Sequence, residues 1–139
     1  MRRNFQLVST VEIVAGDRHF DLHNCFDFVG FEYQPTEKKA CLTWKRGAVE
    51  YASPTLPGQL VLTFEGVTNF AVKRRDEDMP FTEDNCVASI TFLPPELADN
   101  FGAIIQGYRS HDEHLSIEFQ SGSGLKIWAE TATCEIGPP

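Results

Sequence analysis

The sequence lacks most of what marks an enzyme or a membrane protein. It has no C-x-x-C pair, no G-x-S-x-G elbow and no glycine loop leading into Lys-Ser or Lys-Thr. No run approaches the ~20 consecutive apolar residues that cross a bilayer. The opening stretch "MRRNFQLVSTVEIVAG" starts on two arginines, but Gln6, Ser9, Thr10 and Glu12 interrupt its apolar residues, so it has no signal-peptide core. Positive charge is scarce as well: 12 Lys and Arg stand against 20 Asp and Glu, a net charge of −8. Such a surface repels phosphate backbones and anionic lipid. A cytoplasmic, acidic protein that binds neither nucleic acid nor membrane is the expectation. A sustained helical period is missing too.

Aromatic residues are plentiful: 11 Phe, 2 Trp and 3 Tyr in 139 residues. Short alternating runs recur between Gly, Pro, Asn and Asp clusters, and they predict strands at 5–14, 27–33, 40–46, 59–65, 68–74, 86–93, 103–109, 114–120 and 125–136. The only helix-like piece is "PPELADNF", residues 94–101, two turns at most. The expected fold is a single all-β domain over 1–139. It is an antiparallel two-sheet sandwich or small barrel of about eight short strands in meander order, with at most one short helix.

Two hairpins come with a register. Pairing Tyr33 with Ala40 sets Phe31 against Leu42 and Val29 against Trp44, all inward, around the loop "QPTEKK". In the second, a three-residue loop Gly122-Ser123-Gly124 places Phe119 opposite Ile127 and Ile117 opposite Ala129. Gly124 then takes the left-handed position, Glu118 lies beside Trp128, and Gln120 beside Lys126.

The chemistry-bearing residue types are sparse. Cys25, Cys41, Cys86 and Cys134 are widely spaced, each in or beside an apolar segment, which suits reduced cysteines acting as small hydrophobes. His19, His23, His111 and His114 are the candidate metal ligands, and "HDEH" at 111–114 supplies two of them with two carboxylates. A polar loop leading into a strand uses the same residues. "DLHNCFD", 21–27, reads as a row of Asp21, His23, Cys25 and Asp27 on one strand face. Its other face, Leu22 and Phe26, is apolar and competes for the core. We therefore expect a bulge or strand start between Cys25 and Phe28, with Asp27 beside Arg46. The most charged stretch, "RRDEDMPFTEDN" at 74–85, offers Asp76, Glu77, Asp78, Glu83 and Asp84 to a partner with a basic surface. It lacks the central glycine and terminal Glu of an EF-hand loop.

The stretches "DLHNCFDFVGFEYQPTEKKACLTWKR", "LVLTFEGVTNF" and "LSIEFQSGSGLKIWAETATCEI", taken together, resemble small uncharacterised bacterial all-β domains. Some of these are classed as immunity proteins of contact-dependent or polymorphic toxin systems. The resemblance implies a non-enzymatic bacterial protein without catalytic residues or cofactor, working by binding another protein. Two functional expectations follow. One is a protein-binding module, immunity-like. The other is a small-ligand or metal-binding β-sandwich or barrel with enzymatic activity. Exposed sheet edges also leave a homodimer open.

Overall fold

A computed structural model of the chain describes residues 1–48, 54–96 and 113–138. Twelve strands carry the described fold: β1 (Arg2–Arg3), β2 (Phe5–Leu7), β3 (Glu12–Ala15), β4 (Arg18–Asp21), β5 (Phe26–Gln34), β6 (Lys39–Arg46), β7 (Gln59–Glu65), β8 (Asn69–Lys73), β9 (Val87–Leu93), β10 (His114–Phe119), β11 (Gly124–Trp128) and β12 (Thr131–Ile136). They form three open sheets, ordered β1-β12-β7-β6-β5, β8-β11-β10-β9 and β2-β3-β4. None closes into a barrel. Among the described residues, no helix is long and apolar enough to cross a membrane.

Alternation in sequence decides which side chains enter the core. In β7, Leu60, Leu62 and Phe64 are buried, and in β6, Ala40, Leu42 and Trp44 are buried beside them. Leu115, Ile117, Leu125 and Ile127 supply the facing layer from β10 and β11. Phe28 joins the sheets, with its ring 5.2 Å from Trp44 and 4.7 Å from Phe119. Burying each such side chain contributes roughly 1.5–3 kcal/mol, which offsets the cost of ordering the chain.

The third sheet acts as a plug. Phe5, Ile13, Phe20 and Leu22 belong to the same core. Phe5 packs on Phe92 of β9 at 6.1 Å, and Arg3 lies over that Phe92 ring at 3.9 Å. The Ile90 N–H donates to the Thr10 carbonyl, which caps the β9 edge. Among the described residues, no third sheet covers the opposite side, between the edge strands β5 and β8.

Several expectations are corrected. The predicted strand over 5–14 is two strands, because Val8–Val11 turns the chain back: the Val8 N–H donates to the Glu12 carbonyl. β1 and β4 lie outside the predicted strands, and β1 pairs with β12 in parallel. The run 125–136 divides into β11 and β12, which belong to different sheets. Meander order holds within each sheet, for β5-β6-β7, β9-β10-β11 and β2-β3-β4, while β8 and β12 cross between sheets, as a sandwich requires when both halves of a core must be covered. The strand predicted at 103–109, and the helix of 94–101 from residue 97 on, lie outside the described residues.

In the first hairpin Tyr33 pairs with Ala40 and Phe31 with Leu42, as the sequence predicts. Phe28 rather than Val29 faces Trp44, and Asp27 sits opposite Lys45 rather than Arg46, which pairs with Phe26. The strand starts at Phe26, and a bulge between Phe28 and Gly30 absorbs Val29. The parity switch is real: the strand start falls within the predicted window, and the bulge one residue beyond it. Its reason is packing: Leu22, Phe26 and Phe28 all enter the core only if one residue is skipped before Phe31. In the second hairpin Leu115 pairs with Ile127, Ile117 with Leu125 and Glu118 with Gly124. Gly122, not Gly124, holds the positive φ of 78°. The shift from the predicted register is four residues, so the inward parity survives while the predicted neighbours of Trp128 and Lys126 do not.

Candidate functional site

The row of ligand types in "DLHNCFD" is not one strand face. Residues 22–25 form a turn that Asp21 organises. Its Oδ1 accepts from the His23 and Asn24 N–H groups at 2.9 Å each, and Oδ2 accepts from the Asn24 side chain at 2.8 Å. Leu22 and Phe26 anchor the turn in the core. His23 reaches across to β9, where its Nδ1 lies 2.7 Å from the Val87 carbonyl oxygen and 3.4 Å from the Cys86 Sγ. A carbonyl only accepts, so Nδ1 carries the proton. The imidazole therefore has no lone pair aimed at the sulfur, and the pair does not form a thiolate-generating dyad. Partial burial and the carboxylates of Glu83, Asp27 and Asp21 push the Cys86 thiol pKa up, the opposite of an activated nucleophile. Burial, with Asp21 nearby, raises Cys25 in the same way, and burial takes Cys134 to about 11.

Among the described residues, the remaining ligand candidates do not converge. His19 is exposed on β4. His114 is fully buried on the face of β10 opposite Leu115, and stacks on Trp128 at 4.3 Å. His111 lies outside the described residues. Among the described residues, no three His, Cys, Asp or Glu side chains gather to hold a metal ion.

The acidic loop at 74–85 is largely occupied with its own structure. Arg75 is its hub. The Arg75 Nε donates to both carboxylate oxygens of Asp84, at 3.0 and 3.2 Å, Nη2 donates to the Met79 carbonyl, and the guanidinium lies 4.2 Å from the Phe81 ring centre. Hydrogen bonds from Ser121 and Arg75 hold the Asp84 carboxyl below its usual pKa. The Asp76 carboxylate accepts from the Asp78 N–H, and Glu77 pairs with Arg74. The loop docks on the β10–β11 turn, where the Asp76 N–H donates to the Ser121 carbonyl and the Ser121 N–H to the Glu83 carbonyl. Of the five nominated carboxylates, Asp78 and Glu83 show no side-chain bond of this kind.

That docked loop forms one wall of a groove at the uncovered side of the sandwich. The groove encloses about 330 Å³. Phe28 and Phe31 line it from β5, Val72 from β8, and Phe119 and Leu125 from the core; Lys73, Arg74, Arg75 and Asp84 form its polar rim. Beside it Tyr33 stacks on Phe70 at 4.8 Å and Phe31 meets the same ring at 5.2 Å. Seven large hydrophobic side chains are exposed among the described residues, and five of them, Val29, Phe31, Tyr33, Val72 and Phe81, belong to β5, β8 or this loop. Two other depressions beside the N-terminal sheet, of about 350 and 400 Å³, are larger but lined by no exposed aromatic residue. The groove is therefore the better binding site despite its smaller volume.

Sequence reasoning placed Val29, Phe31 and Tyr33 in the core and so missed this surface. Their apolar pattern is the same in either case; the edge position of β5 is what exposes them. No family model matches the sequence, and no curated protein shows significant similarity to it.

Proposed function

We propose that this chain is a binding module that holds another protein at the open mouth between β5 and β8. The observation that carries the reading is an apolar groove lined by the exposed side chains of Phe31 and Val72, with exposed Tyr33 packed on Phe70 beside it, where both sheets end in edge strands among the described residues. Isolated surface hydrophobes need no explanation, but a clustered, polar-rimmed patch marks an interaction surface. The immunity-like role suggested by the resemblance is one form of this reading, with a toxin as partner. The acidic loop takes part as the groove's wall, and its exposed carboxylates, outside the groove's own rim, would meet basic residues elsewhere on the partner's surface.

The test is affinity capture from native lysate and co-expression with neighbouring gene products, comparing the wild type with Phe31→Glu/Val72→Glu. Both positions are partly exposed, so the variant is expected to stay folded by circular dichroism. A partner held by the wild type and lost by the double variant is the expected result. Retention of that partner at unchanged affinity would sink the proposal.

A further inference from the structure

We infer that the groove accepts a large apolar side chain of a partner together with a carboxylate beside it. The inference rests on the protein-binding reading above and adds the chemistry of the partner segment. The interior of the groove is apolar, formed by Phe28, Phe31, Val72, Phe119 and Leu125. Its volume of about 330 Å³ sits at the lower end of the range for small-molecule pockets, a size that suits one or two large side chains. Three consecutive cations, Lys73, Arg74 and Arg75, lie on the rim. Lys73-Arg74-Arg75 is the longest basic run in a chain of net charge −8. Three cations and one carboxylate line the groove, and Arg75 and Asp84 neutralise each other, which leaves Lys73 and Arg74. The Arg74–Glu77 pair joins two exposed side chains, 79% and 71% accessible, so an incoming carboxylate can exchange with Glu77 at little cost.

Backbone pairing is the less suitable mode of binding. The Phe28 N–H of β5 already donates to the Asn85 carbonyl, and the bulge at Val29 distorts the edge beyond it. On β8 the Phe70 N–H is taken by the Asn69 side chain at 2.8 Å. Both edges are blunted against an added strand, and side-chain anchoring beside a charge remains.

The experiment uses small probes on the full-length, isotope-labelled protein: 3-phenylpropionate, its amine counterpart 3-phenylpropylamine, and ring-free propionate. Amide chemical shifts are followed by NMR titration. The expected result is that 3-phenylpropionate shifts Phe31, Val72, Lys73, Arg74 and Leu125, and binds about fivefold more tightly than the amine, the ratio one exposed ion pair supplies. Propionate should bind more weakly than 3-phenylpropionate, and Lys73→Glu/Arg74→Glu should invert the acid–amine preference while leaving the amide dispersion intact. Equal or tighter binding of the amine, or shifts centred elsewhere, would overturn the inference. The protein-binding reading survives that outcome, because it stands on partner loss in Phe31→Glu/Val72→Glu.

Discussion

His114 shows how far one residue's chemistry depends on its surroundings. It is fully buried, its face lies against Trp128, and neither ring nitrogen has a hydrogen-bond partner among the described residues. Burial above all, with Lys126 nearby, lowers its pKa from 6.5 to about 4. The unfolded chain takes up this proton near its ordinary value, and the folded chain resists it, so folding stability is lost as pH falls from 6.5 towards about 4. The difference amounts to about 3 kcal/mol once both states are protonated. In His114→Phe, which keeps a flat ring against Trp128, the acid-side loss of stability should shrink by an amount of that order. Urea midpoints at neutral pH and at pH near 4 measure it; an equally steep loss in the variant would contradict the assignment. Asp21 makes the complementary point. As a sequence letter it is a metal ligand, and in the fold it caps a turn with three hydrogen bonds.

At the scale of elements, the turns carry information that strand periodicity does not. Gly66 and Gly122 both adopt positive φ, 66° and 78°. A Cβ at Gly122 would meet only an ordinary contact with Asp76 at 3.6 Å, whereas one at Gly66 would come within 2.7–2.9 Å of the Glu130 side chain. Gly122→Ala should therefore cost about 1 kcal/mol, from backbone strain alone. Gly66→Ala should cost more, by up to about 2 kcal/mol, because Glu130 must move away from the β7–β8 corner. Thermal melts of the two variants order them, and equal melting temperatures would contradict the steric argument. The faces of β10 and β11 were readable from alternation, since any even shift of register leaves Leu115, Ile117, Leu125 and Ile127 inward. The loop length was not, because the choice between Gly122 and Gly124 depends on how Ser121 docks against the Asp76–Glu83 loop. The same holds for β5: alternation revealed that a phase change was needed, while the ring contacts of Phe28 with Trp44 and Phe119 fixed where it falls.

At the scale of the whole molecule, the described sandwich is asymmetric, with the N-terminal sheet covering β9 and no equivalent sheet among the described residues covering β5 and β8. Two aliphatic side chains, Leu62 and Val72, contrast the closed core with the open mouth. Leu62 is fully buried, and Leu62→Ala should destabilise by roughly 2–5 kcal/mol through a cavity that cannot collapse. Val72 is 57% exposed, and Val72→Ala should change stability by no more than about 0.5 kcal/mol. Chemical denaturation distinguishes them; a large cost at Val72 would mean that the mouth serves the core rather than a partner. By itself the sequence determined the all-β class, most of the strands and which side chains of β6, β7, β10 and β11 face inward, because a period of two is a local property of the chain. Only the tertiary structure decided that β5 and β8 are edges, that His23 meets Cys86 rather than Cys25, and that the acidic loop folds around Arg75. Those outcomes depend on which strands become neighbours, and that is set by burial of the whole core rather than by any single stretch.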